Sequence, residues 1–250
     1  MNGTARPPRS GALGHLRSPL GDLMGGLDHC LAQGGRALLP LALGLLVGWW
    51  IYVPLHELAH AFGCMLAGGS VTRLDIDPLY GADLLARIFP FVHSGSEYAG
   101  RLSGFDTAGS DLVYLATDLA PYLLTLLPGV WALRRLARRG VAFGYGALLP
   151  CAFAPFVSLT GDAYEIGSLL VVQVPPWAGH RELIGDDVAR KFAELSAGEP
   201  TLLAGFALAT LLGLAWSLAW YAAASWIAAR LGEAPLGVPA RRPAPQPGAR

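Results

Sequence analysis

Four stretches of the chain are apolar over bilayer-scale lengths, and the segments between them hold most of the charge. They run from about Leu38 to Ala67, Asp111 to Leu133, Val141 to Val174 and Thr201 to Ala229. A hydrocarbon core needs roughly 20 apolar residues in helical form. The pattern predicts an all-α polytopic membrane protein with about four transmembrane helices. In the first stretch Trp49, Trp50 and Tyr52 read as an amphipathic belt and Pro54 as a bend. Gly44 and Gly48 have GxxxG spacing, taken as coincidence in a glycine-rich chain. Pro150, Pro155 and Gly161 interrupt the third stretch, and such breaks are tolerated where the freed backbone is buried in protein or lines a polar cavity.

The segments between the apolar runs carry their own signals. Gly68-Gly69 ends the first helix. From Val71 to Asp77, Thr72, Leu74 and Ile76 alternate with Arg73, Asp75 and Asp77, which is strand periodicity, so a short strand-containing loop is expected after the first span. Pro78–Gly81 reads as a turn, and Asp83–Val92 as either a second strand or a short amphipathic element. His93–Asp111 reads as a polar extramembrane loop, and Asp186–Leu195 as helical. Residues 1–36 are expected to be a flexible basic tail with a short interfacial segment at Leu20–Leu31. Residues 37–232 form the membrane domain, and the Pro/Ala/Arg-rich stretch 233–250 is expected to be disordered.

Composition agrees with this picture. Of 250 residues, 53% are hydrophobic and only 14% charged, where soluble domains carry about a quarter. The net charge of zero argues against a nucleic-acid partner. Cys30, Cys64 and Cys151 fit neither a zinc-finger spacing nor a disulfide framework. No short apolar core follows the basic start, as a signal peptide would require. Arginines concentrate in the two tails and at Arg134, Arg135, Arg138 and Arg139, so the positive-inside rule puts both termini in the cytosol. The arginine-for-lysine usage suggests a GC-rich genome, and a bacterial cytoplasmic membrane is the expected location.

The chemistry centres on His56-Glu57-Leu58-Ala59-His60, an HExxH inside the first span. On a helix both imidazoles project from one face and can hold two corners of a zinc tetrahedron. Glu57 is then placed to take a proton from a zinc-bound water. Ionisable groups in an apolar segment of membrane length are costly without a partner, which favours a functional site over a packing patch.

Zinc needs at least one further protein ligand, and depth narrows the choice. At 1.5 Å per residue His56 lies roughly 27 Å beyond Leu38, Asp118 about 10 Å past Asp111, and Asp162 about 30 Å past Val141, so all share one level. Asp162 follows a broken stretch and can point across to a neighbouring helix, so it is the third ligand chosen, ahead of the alternative that it only caps the helix that follows. Glu165 is the reserve ligand, and Asp118 is read as a group orienting a histidine or loop backbone. Cys64 continues the histidine row but stands about 12 Å of rise from His56, too far to share an ion, and is read as core. Tyr164 is assigned to packing, and His93 and Tyr80 are loop residues within possible reach of the site.

With these residues the chain resembles the site-2 protease family of intramembrane zinc metallopeptidases. The resemblance is carried by His56–His60 and, about a hundred residues on, Gly161-Asp162. The strand-like segment after Gly68-Gly69 and Asp118-Leu119-Ala120-Pro121 in the second span are also similar, and the whole covers roughly Leu38 to Leu170. It implies zinc bound by His56, His60 and Asp162, with Glu57 activating water, and cleavage of a locally unwound substrate helix in the bilayer. Val71–Asp77 would then pair with the extended substrate. The family usually places its Asp before Gly after an Asn-Pro-type stretch, whereas this chain has Gly161-Asp162 and no Asn there. The family also puts the end of its motif helix near the cytosol, whereas the arginine distribution puts it at the outer face.

Three function classes follow. The first is a zinc endopeptidase acting on membrane-embedded proteins. The second is a zinc-binding, non-proteolytic membrane scaffold or chaperone. The third is a metal transporter or sensor, which would place more polar residues along the third and fourth spans than are found there.

Overall fold

The computed structural model describes residues 12–32, 34–196 and 198–237; residues 1–11 and 238–250, the outer parts of both expected tails, lie outside them. In chain order the elements are α1 (Ala12–Leu16), α2 (Ser18–Leu31), α3 (Leu38–Leu66), β1 (Ser70–Ile76), α4 (Ala82–Ile88), β2 (Val92–Ser94), β3 (Gly100–Asp106), α5 (Asp111–Leu119), α6 (Val130–Arg138), α7 (Ala142–Ala152), α8 (Ala154–Val157), α9 (Asp162–Val171), α10 (Val188–Leu195) and α11 (Pro200–Arg230).

Three helical runs are long and apolar enough to cross a membrane: Gly35–Leu66, Asp111–Arg138 and Pro200–Arg230. This is the make-up of a helical membrane protein. The expected third span, Val141–Val174, is not one helix but α7, α8 and α9 in succession. Proline lacks an N–H and is at home in a first turn, so Pro155 begins α8 rather than continuing α7. Gly161, at φ −116° and ψ −107°, holds the backbone outside the helical region just before α9. The run from α5 to α6 is also irregular: Leu127 is extended ahead of Pro128, where the proline ring steers its predecessor away from helix.

Glycine seams hold the helices at backbone contact. A Cβ on Gly44 would lie 2.0 Å from the Phe143 carbonyl oxygen, and one on Gly48 2.1 Å from that of Ala147. The Gly44/Gly48 spacing, expected to be coincidental, is therefore the surface along which α3 meets α7. A second seam joins α9 to α11, where a Cβ on Gly213 would meet the Ala163 carbonyl oxygen at 2.1 Å. Gly63 brings α3 against α5, with the Ala116 carbonyl oxygen 2.8 Å from where its Cβ would be.

The three-stranded sheet has the order β2-β1-β3, with β1 parallel to β2 and antiparallel to β3. Strand periodicity was legible at β1: Leu74 and Ile76 are buried over Leu58 and Ala61 of α3. Arg73 and Asp75 point outward and pair at 2.9 Å. Asp83–Val92, open between strand and amphipathic element, is helical over α4. The expected loop His93–Asp111 contains β3, whose Ser and Gly residues hide a strand that exists only by pairing with β1. β1 is the central strand, paired with β3 along Ser70–Ile76 and with β2 over Leu74–Ile76, so the expected pairing of Val71–Asp77 with a substrate finds no full-length free edge there. Of the two edge strands β3 is the longer, and among the described residues it pairs only with β1.

The expected flexible tail over 1–36 is, in its described part, two packed helices. Gly21, Asp22, Gly25 and Gly26 of α2 are buried, and Asp22 pairs with Arg134 of α6. The start of the expected disordered tail is likewise tied down, the Leu236 N–H donating to Asp22 Oδ1 at 2.9 Å. A buried ion pair between distant segments overrides the loop-like composition of either one. Leu20 and Met24 on the outer side of α2 are exposed.

Candidate metal centre

His56 and His60 stand one helical turn apart on α3, both buried. Their Nε2 atoms are 3.1 Å apart. Asp162, the first residue of α9, brings Oδ2 to 3.2 Å from His56 Nε2 and Oδ1 to 3.5 Å from His60 Nε2. The ligand atoms of all three residues lie within 4.8 Å of one another. A tetrahedral ion with bonds of roughly 2.0–2.1 Å separates its ligand atoms by about 3.3 Å. The observed spacings bracket that value.

Each imidazole is fixed from behind. His60 Nδ1 lies 2.9 Å from the Thr117 carbonyl oxygen, which can only accept. The proton therefore belongs on Nδ1, and Nε2 turns a lone pair towards Asp162. His56 Nδ1 lies 2.9 Å from the Tyr52 hydroxyl, so its Nε2 too is left for the centre. Asp162 Oδ2 is buried and accepts no hydrogen bond despite its closeness to His56. Two imidazole nitrogens and an unsatisfied carboxylate oxygen converging in this way are a donor set suited to a divalent ion of the zinc class.

Glu57 lies against β3: a Cβ on Gly100 would meet Glu57 Cγ at 2.3 Å. Glu57, both histidines and Asp162 line one cavity of about 820 Å³, which β3 borders from Gly100 to Phe105. The Ser158–Gly161 break between α8 and α9 lines it from the other side, so the interruption of the third apolar stretch builds the site wall.

The remaining sequence candidates divide. Asp118 and Glu165 are buried and line the same cavity. Neither joins the three-residue cluster, which among the described residues comprises His56, His60 and Asp162. Glu165, the reserve ligand, accepts a hydrogen bond from the Tyr114 hydroxyl. Asp118 does not orient a histidine: the backbone carbonyl of its neighbour Thr117 does, and Asp118 Oδ2 has no hydrogen-bond partner. Cys64 is core, its Sγ directed at the Ser70 and Asp106 carbonyls. Tyr164 is fully buried and donates to the Leu183 carbonyl. Tyr80 accepts from Trp49 Nε1 at 3.2 Å, and His93 is exposed on β2; neither lines the cavity.

Three contributors escaped the sequence reading: Tyr52, Thr117 and Gly100. Tyr52, expected in an aromatic belt with Trp49 and Trp50, is 2% exposed and faces inward. Its i, i+4 relation to His56 was an available signal. Thr117 acts through its backbone and Gly100 through lack of a side chain, so residue type signals neither.

In comparisons with known proteins, the chain matches no family model, no curated protein and no solved structure.

Proposed function

We propose that the protein is an intramembrane zinc-dependent endopeptidase, similar in its chemistry to the site-2 protease family, hydrolysing peptide bonds of membrane-embedded protein substrates. The observation that carries this reading is the convergence of His56, His60 and Asp162 beside Glu57 in a cavity bordered by a sheet edge. His56, His60 and Asp162 would hold the zinc. Such an ion supplies Lewis acidity and lowers the pKa of a water it binds. Glu57 receives the proton of the attacking water and returns it to the departing amine nitrogen. The Thr117 carbonyl and the Tyr52 hydroxyl keep both imidazoles in ligating orientation. An unwound substrate segment adds to the edge of β3 as an extended strand, which presents its carbonyls to the cavity.

The same reading makes the chain multi-pass in a bacterial cytoplasmic membrane, with both termini on the cytosolic side. It is supported by the contacts of Arg134 with Asp22 and Ser225, which gather α2, the end of α6 and the end of α11 together. Arg135, Arg138, Arg139 and Arg230 accompany them in sequence.

The test is elemental analysis of detergent-purified protein, joined to cleavage of single-pass membrane helices in liposomes. Wild type should carry about one zinc per chain and Asp162→Ala little, as loss of one of three ligands requires. Glu57→Gln should keep zinc and lose cleavage. A zinc-free wild type under metal-retaining conditions would sink the proposal, as would cleavage that persists in Glu57→Gln.

A further inference from the structure

Six carboxylates line the cavity around the metal centre: Glu57, Asp118, Asp162, Glu165, Asp186 and Asp187. Arg101 and Arg190 are the guanidinium groups in the same lining, and Arg190 is already paired with Glu194 at 2.8 Å. Outside the His56, His60 and Asp162 trio, the carboxyl group left with an unmet acceptor among the described residues is that of Asp118. This side chain is 2% exposed, lines the cavity from α5, and its Oδ2 accepts no hydrogen bond. Glu165 faces the same space from α9, with the Tyr114 hydroxyl on its Oε1.

A buried carboxylate oxygen without a partner is costly, and a cation entering the cavity relieves that cost. Among the described residues no third ligand atom joins Asp118 and Glu165 within reach of a second metal ion. An ammonium or guanidinium group needs no such closed shell, because its N–H groups are satisfied by carboxylates one at a time.

We infer that Asp118, backed by Glu165, forms a subsite for a positively charged substrate group, a lysine or arginine side chain next to the scissile bond. This inference rests on the endopeptidase reading and adds the substrate class. A site whose buried acceptor is left unpaired by an apolar side chain discriminates strongly against it. The substrates are therefore membrane helices with a basic residue at the unwound segment, where a charge in an otherwise apolar helix also weakens its hold in the bilayer.

The test compares Nα-acetyl-lysine hydroxamate with Nα-acetyl-norleucine hydroxamate, binding to the zinc-loaded full chain in detergent and read by calorimetry. The hydroxamate engages the metal in both, and the side chains differ by the ammonium group. The lysyl compound should bind roughly tenfold tighter or more, the scale of one charge-assisted hydrogen bond. Asp118→Asn should bring the ratio towards one, with Glu165→Gln reducing it less. Equal affinities in the wild type overturn the subsite and leave the metal centre standing. Failure of both compounds to bind zinc-containing protein also overturns it. A preference that survives both substitutions overturns its assignment to these residues. Protein that carries no zinc removes the endopeptidase reading and this inference together. The wild-type comparison needs no variant, so it decides whether the preference exists even where Asp118→Asn does not fold, and Glu165→Gln then tests the assignment.

Discussion

Asp22 and Arg134, 112 residues apart in the chain, form a fully buried ion pair in which Arg134 Nε and Nη2 donate to one oxygen of Asp22, at 2.9 and 2.6 Å. The pair sits in a saturated network. Tyr221 donates to the same Asp22 oxygen at 3.1 Å, and Arg134 Nη1 reaches the Ser225 and Glu233 carbonyls. Four chain segments meet there: α2, α6, α11 and the residues after α11. Removing one partner of such a pair strands a buried charge, so Asp22→Ala should cost about 3–5 kcal/mol of stability. The Asp22→Leu/Arg134→Met double variant should recover most of that loss. Thermal unfolding in detergent checks both, and a wild-type melting curve for Asp22→Ala would contradict the structure.

Tyr52 holds His56 in orientation through its hydroxyl, so Tyr52→Phe should weaken zinc binding while leaving the fold intact. Losses of this kind run to about 10–100-fold in metal affinity. Competition against a chelator of known affinity measures it. Unchanged affinity would mean that helix packing alone sets the His56 ring.

Gly100 leaves room for Glu57, and a side chain there would collide with Cγ and the carboxyl carbon of Glu57. Gly100→Val should therefore displace the proton acceptor and lower cleavage strongly, while zinc content stays at the wild-type level because the three atoms nearest a Cβ there all belong to Glu57. Parallel assays of zinc and proteolysis separate the two effects. Loss of zinc together with cleavage would show that β3 supports the metal residues as well.

Gly48 is in backbone contact with Ala147. Gly48→Val forces α3 and α7 apart, and overpacking of this kind costs typically about 1–3 kcal/mol. A lower melting temperature is expected. Leu46→Val, on the exposed side of the same helix, should change little.

Much of this architecture was legible in the sequence because it is local. Apolar run length marks α3 and α11, period-two alternation marks β1, and four-residue spacing puts His56 and His60 on one face. The level of Asp162 was reckoned as though the third stretch were one helix; that stretch is broken into α7, α8 and α9, and the fold nonetheless brings the Asp162 carboxylate to both histidines. The GxxxG pair looked accidental because its meaning depends on a partner helix a hundred residues away.

The sequence by itself determined which segments are apolar, where the backbone breaks and which side chains could ligate, since each is set by neighbours within a few residues. Only the tertiary structure decided that α2 packs through Asp22, that β3 rather than β1 offers the free edge, and that the Thr117 carbonyl orients His60. Those outcomes depend on groups far apart in the chain satisfying one another's charges and hydrogen bonds. A backbone carbonyl or a missing Cβ leaves no trace in residue type until the fold places something against it.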